Sequence, residues 1–236
     1  LNVLQIDPED PQAMAQLGIL YFDQGRVGRA FPYLTNGSRL DPENAGVRLR
    51  IGATHLVMGK LEEARNAASF VLGREPDNEE APLLLANASI SREEINKSRQ
   101  QLKDLISKEG EKAAYYVGLG LLDLKQQKVE KAESLFDRAR ALDSKSAGVL
   151  VALGNLYWSK NDLKLADEAF RKAAEYASTY SVHRLRYAQF KMQTGDIAAG
   201  KKMLQDILEV TPRFLSALSL LAEIEASENN FEESSA

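Results

Sequence analysis

Residues 147–178 read AGVLVALGNLYWSKNDLKLADEAFRKAAEYAS. Leu150, Leu153, Gly154, Tyr157 and Trp158 recur at i, i+3, i+4, i+7 and i+8, which gathers them on one face of a helix. The polar break Ser159-Lys160-Asn161-Asp162 interrupts that pattern, and Leu163, Ala166, Phe170 and Ala173 resume it in a second helix. The stretch reads as helix–turn–helix, with small residues where the two helices must approach closely.

The same unit recurs along the whole chain. Pro8, Pro42 and Pro76 are spaced by 34 residues, and Pro212 falls four such periods after Pro76. Frames of 34 beginning at Pro11, Ala45, Glu79, Ala113, Ala147, Ser181 and Leu215 need no insertion or deletion. The eighth places are Gly18, Gly52, Ala86, Gly120, Gly154, Ala188 and Ala222, and the twentieth run from Ala30 and Ala64 to Gly200 and Ser234, small throughout. The seventh places, Leu17, Ile51, Leu85, Leu119, Leu153, Tyr187 and Leu221, are all large and apolar. Gly25, Gly59 and Gly195 sit at the break between the two helices, where a helix end favours a left-handed residue.

Leu153-Gly154, Tyr157, Ala166, Phe170 and Ala173, together with Leu17-Gly18, Tyr21, Ala30, Leu34 and Pro42, resemble the signature of the tetratricopeptide repeat family, in the manner of bacterial multi-repeat arrays. The resemblance implies an all-α, right-handed α-solenoid of stacked helix-turn-helix repeats. Its expected units are 11–44, 45–78, 79–112, 113–146, 147–180 and 181–214, preceded by the end of a repeat at 1–10 and followed by a partial one at 215–236. The third frame departs most, with Pro82, Ser89, Glu93 and Ser98 at places where the family differs, and is expected to be a soft spot or hinge. Ser144 and Ser178 stand where the family often has proline, and Phe231 only begins a further helix. With Leu1 at its start and no polar capping unit, the chain reads as a segment of a longer protein whose cut faces offer a route to self-association.

Composition narrows the chemistry. There is no cysteine, which excludes disulfides, thiolate metal sites and thiol nucleophiles, and there are two histidines, His55 and His183. The net charge of −4 gives no global electrostatic reason to bind nucleic acid, and none is expected as a partner. No apolar run is long enough to span a membrane. Val117-Gly118-Leu119-Gly120-Leu121 has neither the third glycine nor the preceding strand of a dinucleotide loop. His55 occupies the place of Tyr21 and Tyr157 in other frames, which reads as packing. No set of residues could activate a nucleophile or a water, so the chain is read as a non-enzyme without cofactor or metal. The compartment is left open by the sequence.

In the family the first helices line a concave groove, and the resemblance assigns to it the second, fifth, ninth, twelfth and thirteenth places. The partner-binding residues expected there are Phe22, Leu49, Leu56, Asn87, Leu121, Asn155, Trp158, Gln189 and Met192. Apolar walls would supply affinity and the three amides would bond a partner's main chain, with Trp158 as the anchor. The competing reading is that the stripe is buried between adjacent first helices. A clamp for chaperone tails is disfavoured, because Leu83 and Val151 replace the lysines and Arg50 and Arg186 stand isolated. The expected function is a protein–protein interaction scaffold or adaptor binding a protein or peptide segment. The alternative is the repeat part of a cell-envelope export machine or one linked to a glycosyl- or sulfotransferase.

Overall fold

A computed structural model of the chain describes residues 2–177 and 182–235, with side chains over 3–177 and 182–226. Ser178 and Ser181, and the side chains of Phe231 and Ser234, lie outside the described residues. Among the described residues every regular element is an α-helix. After α1 (Asn2–Ile6) come six hairpins: α2 (Pro11–Asp23) with α3 (Val27–Leu40), α4 (Ala45–Val57) with α5 (Leu61–Arg74), α6 (Ala81–Asn87) with α7 (Arg92–Glu109), α8 (Ala113–Lys125) with α9 (Val129–Leu142), α10 (Ala147–Ser159) with α11 (Leu163–Tyr176), and α12 (Val182–Gln193) with α13 (Ile197–Val210). The helix α14 (Leu215–Ser235) follows. The chain forms two compact units, Leu1–Phe22 with Arg26–Ser144, and Asp23–Gly25 with Lys145–Ala236. Within each, hairpin stacks on hairpin: α3 on α4, α5 on α6 and α6 on α8 in the first unit, α11 on α12 and α13 on α14 in the second.

Local chemistry sets where the first helices begin. Asp10, Asn44, Asn78 and Ser146 stand just before their frames, and each side-chain oxygen accepts an otherwise orphaned N–H: from Ala13 (2.6 Å), Val47 (3.1 Å), Ala81 (2.9 Å) and Val149 (3.4 Å). Between the helices of a hairpin the backbone turns through a left-handed residue. Gly25, Gly59 and Gly195 do so with φ of 73°, 73° and 94°, and at the corresponding places so do Gln127 (59°) and Asn161 (60°). Asparagine tolerates that conformation; glutamine at Gln127 does so only against the clash of its Cβ with the following carbonyl.

The third frame is built differently rather than loosely. Its first helix, α6, is only seven residues long, and α7 starts at Arg92 rather than at the place where the other second helices begin. The cause is a capping box: the Ser91 hydroxyl accepts from the Glu94 N–H at 3.2 Å while the Glu94 carboxylate accepts from the Ser91 N–H at 2.8 Å. Pro82 sits in the first turn of α6, where its missing N–H costs nothing. Ser89 and Ser98 form a buried hydroxyl pair 2.7 Å apart. Ala81, Pro82, Leu84, Leu85, Ala86 and Ala88 are all buried, most of them within the core cluster shared by α4 to α8. The packing thus gives no support to a soft spot at this frame.

Three of the small eighth places have a common cause. Gly18, Gly120 and Gly154 lie against Leu34, Phe136 and Phe170, fully buried residues that share one place of the frame on the second helix of the same hairpin. A Cβ at Gly154 would sit 2.8 Å from the Phe170 ring, and one at Gly120 would press into the ring of Phe136. Gly120→Ala is therefore expected to destabilise the protein by about 1–3 kcal/mol, although alanine is the better helix former. Gln127→Gly is expected to stabilise it by about 1 kcal/mol. Urea denaturation of the two variants beside the parent checks both signs.

Candidate functional site

The first helices carry a half-exposed stripe. In α10 it comprises Gly148, Val151, Asn155 and Trp158, one helical face, while Val149, Leu150, Ala152, Leu153 and Leu156 are buried. In α12 the half-exposed positions include Arg186, Gln189 and Met192. The fifth places divide, with Leu83 and Val151 half-exposed and others buried. Leu49 is 5 % exposed and belongs to the core of the first unit, so it is not a groove wall; Ala15, Val117 and Leu185 are buried in the same way. Leu49 is buried because it joins residues of α6 in that core, where α4 packs on α6. The ninth and twelfth places keep solvent contact, even where, as at Asn155 and Trp158, a neighbouring helix touches them.

In the first unit Phe22 is half-buried against the cluster of Ala15, Leu34 and Val47. The Arg50 guanidinium lies over its ring, 5.5 Å from the centroid, and pairs with the Glu80 carboxylate at 2.5 Å. Leu56 and Leu121 rest half-exposed on the main cluster. Asn87 ends α6 with an exposed side chain, and its main-chain carbonyl accepts from the Lys125 ammonium at 2.7 Å. Lys125 also donates to the carbonyl of Ser89 at 2.8 Å, and Arg65 to that of Ala88 at 2.7 Å. Two cations from neighbouring helices thereby satisfy the carbonyls that the short α6 leaves open. Burial pushes the Lys125 ammonium down from its ordinary range.

In the second unit Asn155 and Trp158 are brought together by Arg186. The Asn155 Oδ1 accepts from both Nε (2.9 Å) and Nη2 (2.5 Å) of Arg186. The same guanidinium lies 5.0 Å from the Trp158 ring centroid. Trp158 meets Phe190 edge-on at 5.2 Å and Phe170 at 6.2 Å, so the indole is anchored in an aromatic cluster rather than standing free. Burial pushes the Arg186 guanidinium down. Asn155 is thus already engaged within the chain. Gln189 is half-buried, and Met192 packs on the cluster of Leu185, Leu204 and Phe214. Arg50 and Arg186 are not isolated, as their sequence neighbours suggest. Both fall at the sixth place of a frame, 28 residues after an aromatic at a twelfth place, and that shared spacing was the signal available.

Among the described residues no cluster of His, Asp and Glu is arranged to hold a metal ion, and no helix is long and apolar enough to cross a membrane. His55 packs edge-on against Phe31 at 5.7 Å, with its Nδ1 buried and without a hydrogen-bond partner.

Models described as tetratricopeptide repeat match residues 21–69 and, in two overlapping registers, 83–147 and 117–181. The chain belongs to the tetratricopeptide repeat family. No curated protein sequence matches it. Among solved structures it is similar to TTC0263, a thermophilic TPR protein of Thermus thermophilus, with TM-score 0.60 and 23 % identity over 78 % of this chain and 100 % of that one. It is also similar to a chain of the APC/C hetero-tetramer Cut9–Hcn1 (0.56, 16 %, 94 % of this chain and 44 % of that one). A third is human IFIT1, solved as a dimer with m7Gppp-AAAA (0.54, 15 %, 85 % and 50 %). At these identities the likeness is one of fold. Tetratricopeptide repeats are in general non-catalytic scaffolds for protein–protein interaction, and the all-α stack of hairpins is of that kind.

Desolvation holds the His55 imidazole below its ordinary range, outweighing the nearby Glu63 carboxylate. Its folded-state titration is therefore expected to centre below about 6.5, the unfolded value. The unfolded chain then binds the extra proton first, so the contribution of His55 to stability falls as pH drops through and below about 6.5. Proton NMR titration of the imidazole, and a flatter acid limb of the stability curve in His55→Gln, check the sign.

Proposed function

We propose that the chain is a scaffold segment that holds a partner protein segment on the face formed by its first helices. The observation that carries this is the half-exposed stripe at the ninth and twelfth places. In the first unit Leu56 and Leu121 keep apolar surface in contact with solvent and Asn87 is exposed; in the second Trp158 and Met192 keep such surface and Gln189 is half-exposed. Apolar side chains interleaved with a few polar groups on a rigid framework suit an extended or helical segment, whose main chain the amides can bond. Leu49 is buried and the Asn155 amide oxygen is engaged by Arg186, so this reading leaves both out of the contact set. Rigid stacked hairpins keep the ordering cost of binding low on the scaffold side.

Site-specific photo-crosslinking tests the surface. A benzophenone amino acid at Asn87, Leu121 or Gln189 is expected to give discrete protein adducts in cells of the source organism. The same group at the exposed second-helix positions Lys97, Asp137 and Arg171 is expected to give none. Adducts confined to the second-helix set would overturn the reading.

A further inference from the structure

The turn edge of the first unit carries a crevice apart from the first-helix face. Because α6 packs on α8, the α6–α7 turn lies beside the α8–α9 turn. The crevice between them, of about 450 Å³, is lined by Ile90, Arg92 and Asn96 on one side and by Lys125, Gln126 and Lys128 on the other. Three cations and no carboxylate line it. Glu94, whose charge reaches Lys125, is taken by Arg65 at 2.8 Å and by the N–H groups of Ile90 and Ser91. Asp123 is buried in a pair with Arg99 at 3.0 Å. Lys125 and Lys128 are held by neutral acceptors, the carbonyls of Asn87 and Ser89 for the first and the Gln126 amide oxygen, at 2.6 Å, for the second. Among the described residues nothing bonds to or pairs with the Arg92 side chain or the Asn96 amide. Arg92 opens α7 and Lys128 stands just before α9, so both cations sit at the positive end of a helix, where a cation is disfavoured.

We infer that this crevice binds the phosphate of a phosphorylated serine or threonine side chain on a partner protein, with Arg92 and Lys128 as its charged contacts and Asn96 as a further donor. The surface is separate from the first-helix face, and the inference stands without that reading. A tetrahedral dianion accepts from several donors at once, which suits cations brought together from two hairpins, and a guanidinium meets phosphate through paired N–H groups. Gln126 is a positioning residue: its amide oxygen accepts from Lys128 and, at 3.3 Å, from Arg99. Two features restrict the occupant to a single phosphate on a peptide. Glu62, Glu63, Glu93 and Glu130, all exposed, lie in the first turns of the second helices along the same edge, so an extended anionic surface or strand is repelled while one inset phosphate is not. Ile90 is 65 % exposed at the rim, because the capping box ends α6 early, whereas its counterparts Leu56 and Leu124 are half-buried. It offers apolar contact to the residue beside the phosphate, which a free phosphate ion has no means to use.

Isothermal titration calorimetry on the whole chain tests this. The probes are acetyl-Ala-Leu-phosphoserine-Leu-Ala-amide, the same peptide with plain serine, inorganic phosphate, and phosphatidylcholine vesicles containing phosphatidic acid. The phosphopeptide is expected to bind saturably, about tenfold or more tighter than the serine peptide or inorganic phosphate. Arg92→Gln and Lys128→Gln, both at exposed positions, are each expected to weaken it about tenfold at unchanged helicity, while Lys103→Gln, an equal loss of charge on α7, leaves it unaltered. Ile90→Ser is expected to weaken the phosphopeptide and not inorganic phosphate. No binding of the phosphopeptide, equal binding of the phosphorylated and plain peptides, or equal weakening by Lys103→Gln and Arg92→Gln would overturn the site. Inorganic phosphate bound as tightly as the phosphopeptide would overturn the peptide as its occupant, and so would tighter, Arg92-dependent binding of the vesicles, which would make the ligand a lipid headgroup.

Discussion

Three hairpins of this chain are closed by a glycine that lies beneath a large side chain of the facing helix. Leu34, Phe136 and Phe170 are wholly buried because Gly18, Gly120 and Gly154 leave room for them. That contact fixes the rotation of both helices about their axes. In the α8–α9 and α10–α11 hairpins the seventh places, Leu119 and Leu153, enter the core, and the ninth and twelfth places keep a solvent-facing side. The half-exposed side of the first helices is in this sense a by-product of packing: it is what remains after the core and the neighbour have taken their faces.

Departures from the repeat are where the individual character of the chain lies. The capping box at Ser91 and Glu94 shortens α6, and the carbonyls thereby opened at Asn87, Ala88 and Ser89 are taken by Arg65 and Lys125 from adjoining helices. A second departure is the placement of cations on the first helices. The two sixth-place arginines share an aromatic platform, but one is neutralised by Glu80 and the other is held by an amide. Repeats make such differences legible, because each copy acts as the reference for the others.

The fold was readable from the sequence because period, small places and apolar places agree over every frame, and each has a steric or capping cause. The surface was readable in part. Trp158, Gln189 and Met192 keep a solvent-facing side as their places suggest, but Leu49 does not, because a place in a repeat says which way a side chain points and not how near the next helix comes. Gln127 was missed as a left-handed residue, since glutamine carries no local preference for that conformation and only its register with Gly25, Gly59 and Gly195 points to it. The pairing of Arg186 with Asn155, 31 residues away and on a different hairpin, is a tertiary fact that a one-dimensional reading passes over. The third frame looked weak because its capping box moves the helix boundary, which a fixed frame registers as bad matches.

The steric lock is the claim on which the rest stands, and a double-mutant cycle on Gly154 and Phe170 measures it most directly. Gly154→Ala should cost stability in the parent, and that cost should shrink by about 1 kcal/mol or more when Phe170→Leu has removed the ring, since contacting residues couple on this scale. Additive effects of the two substitutions would contradict the account, because they would mean that the glycine is small for a reason other than the side chain above it.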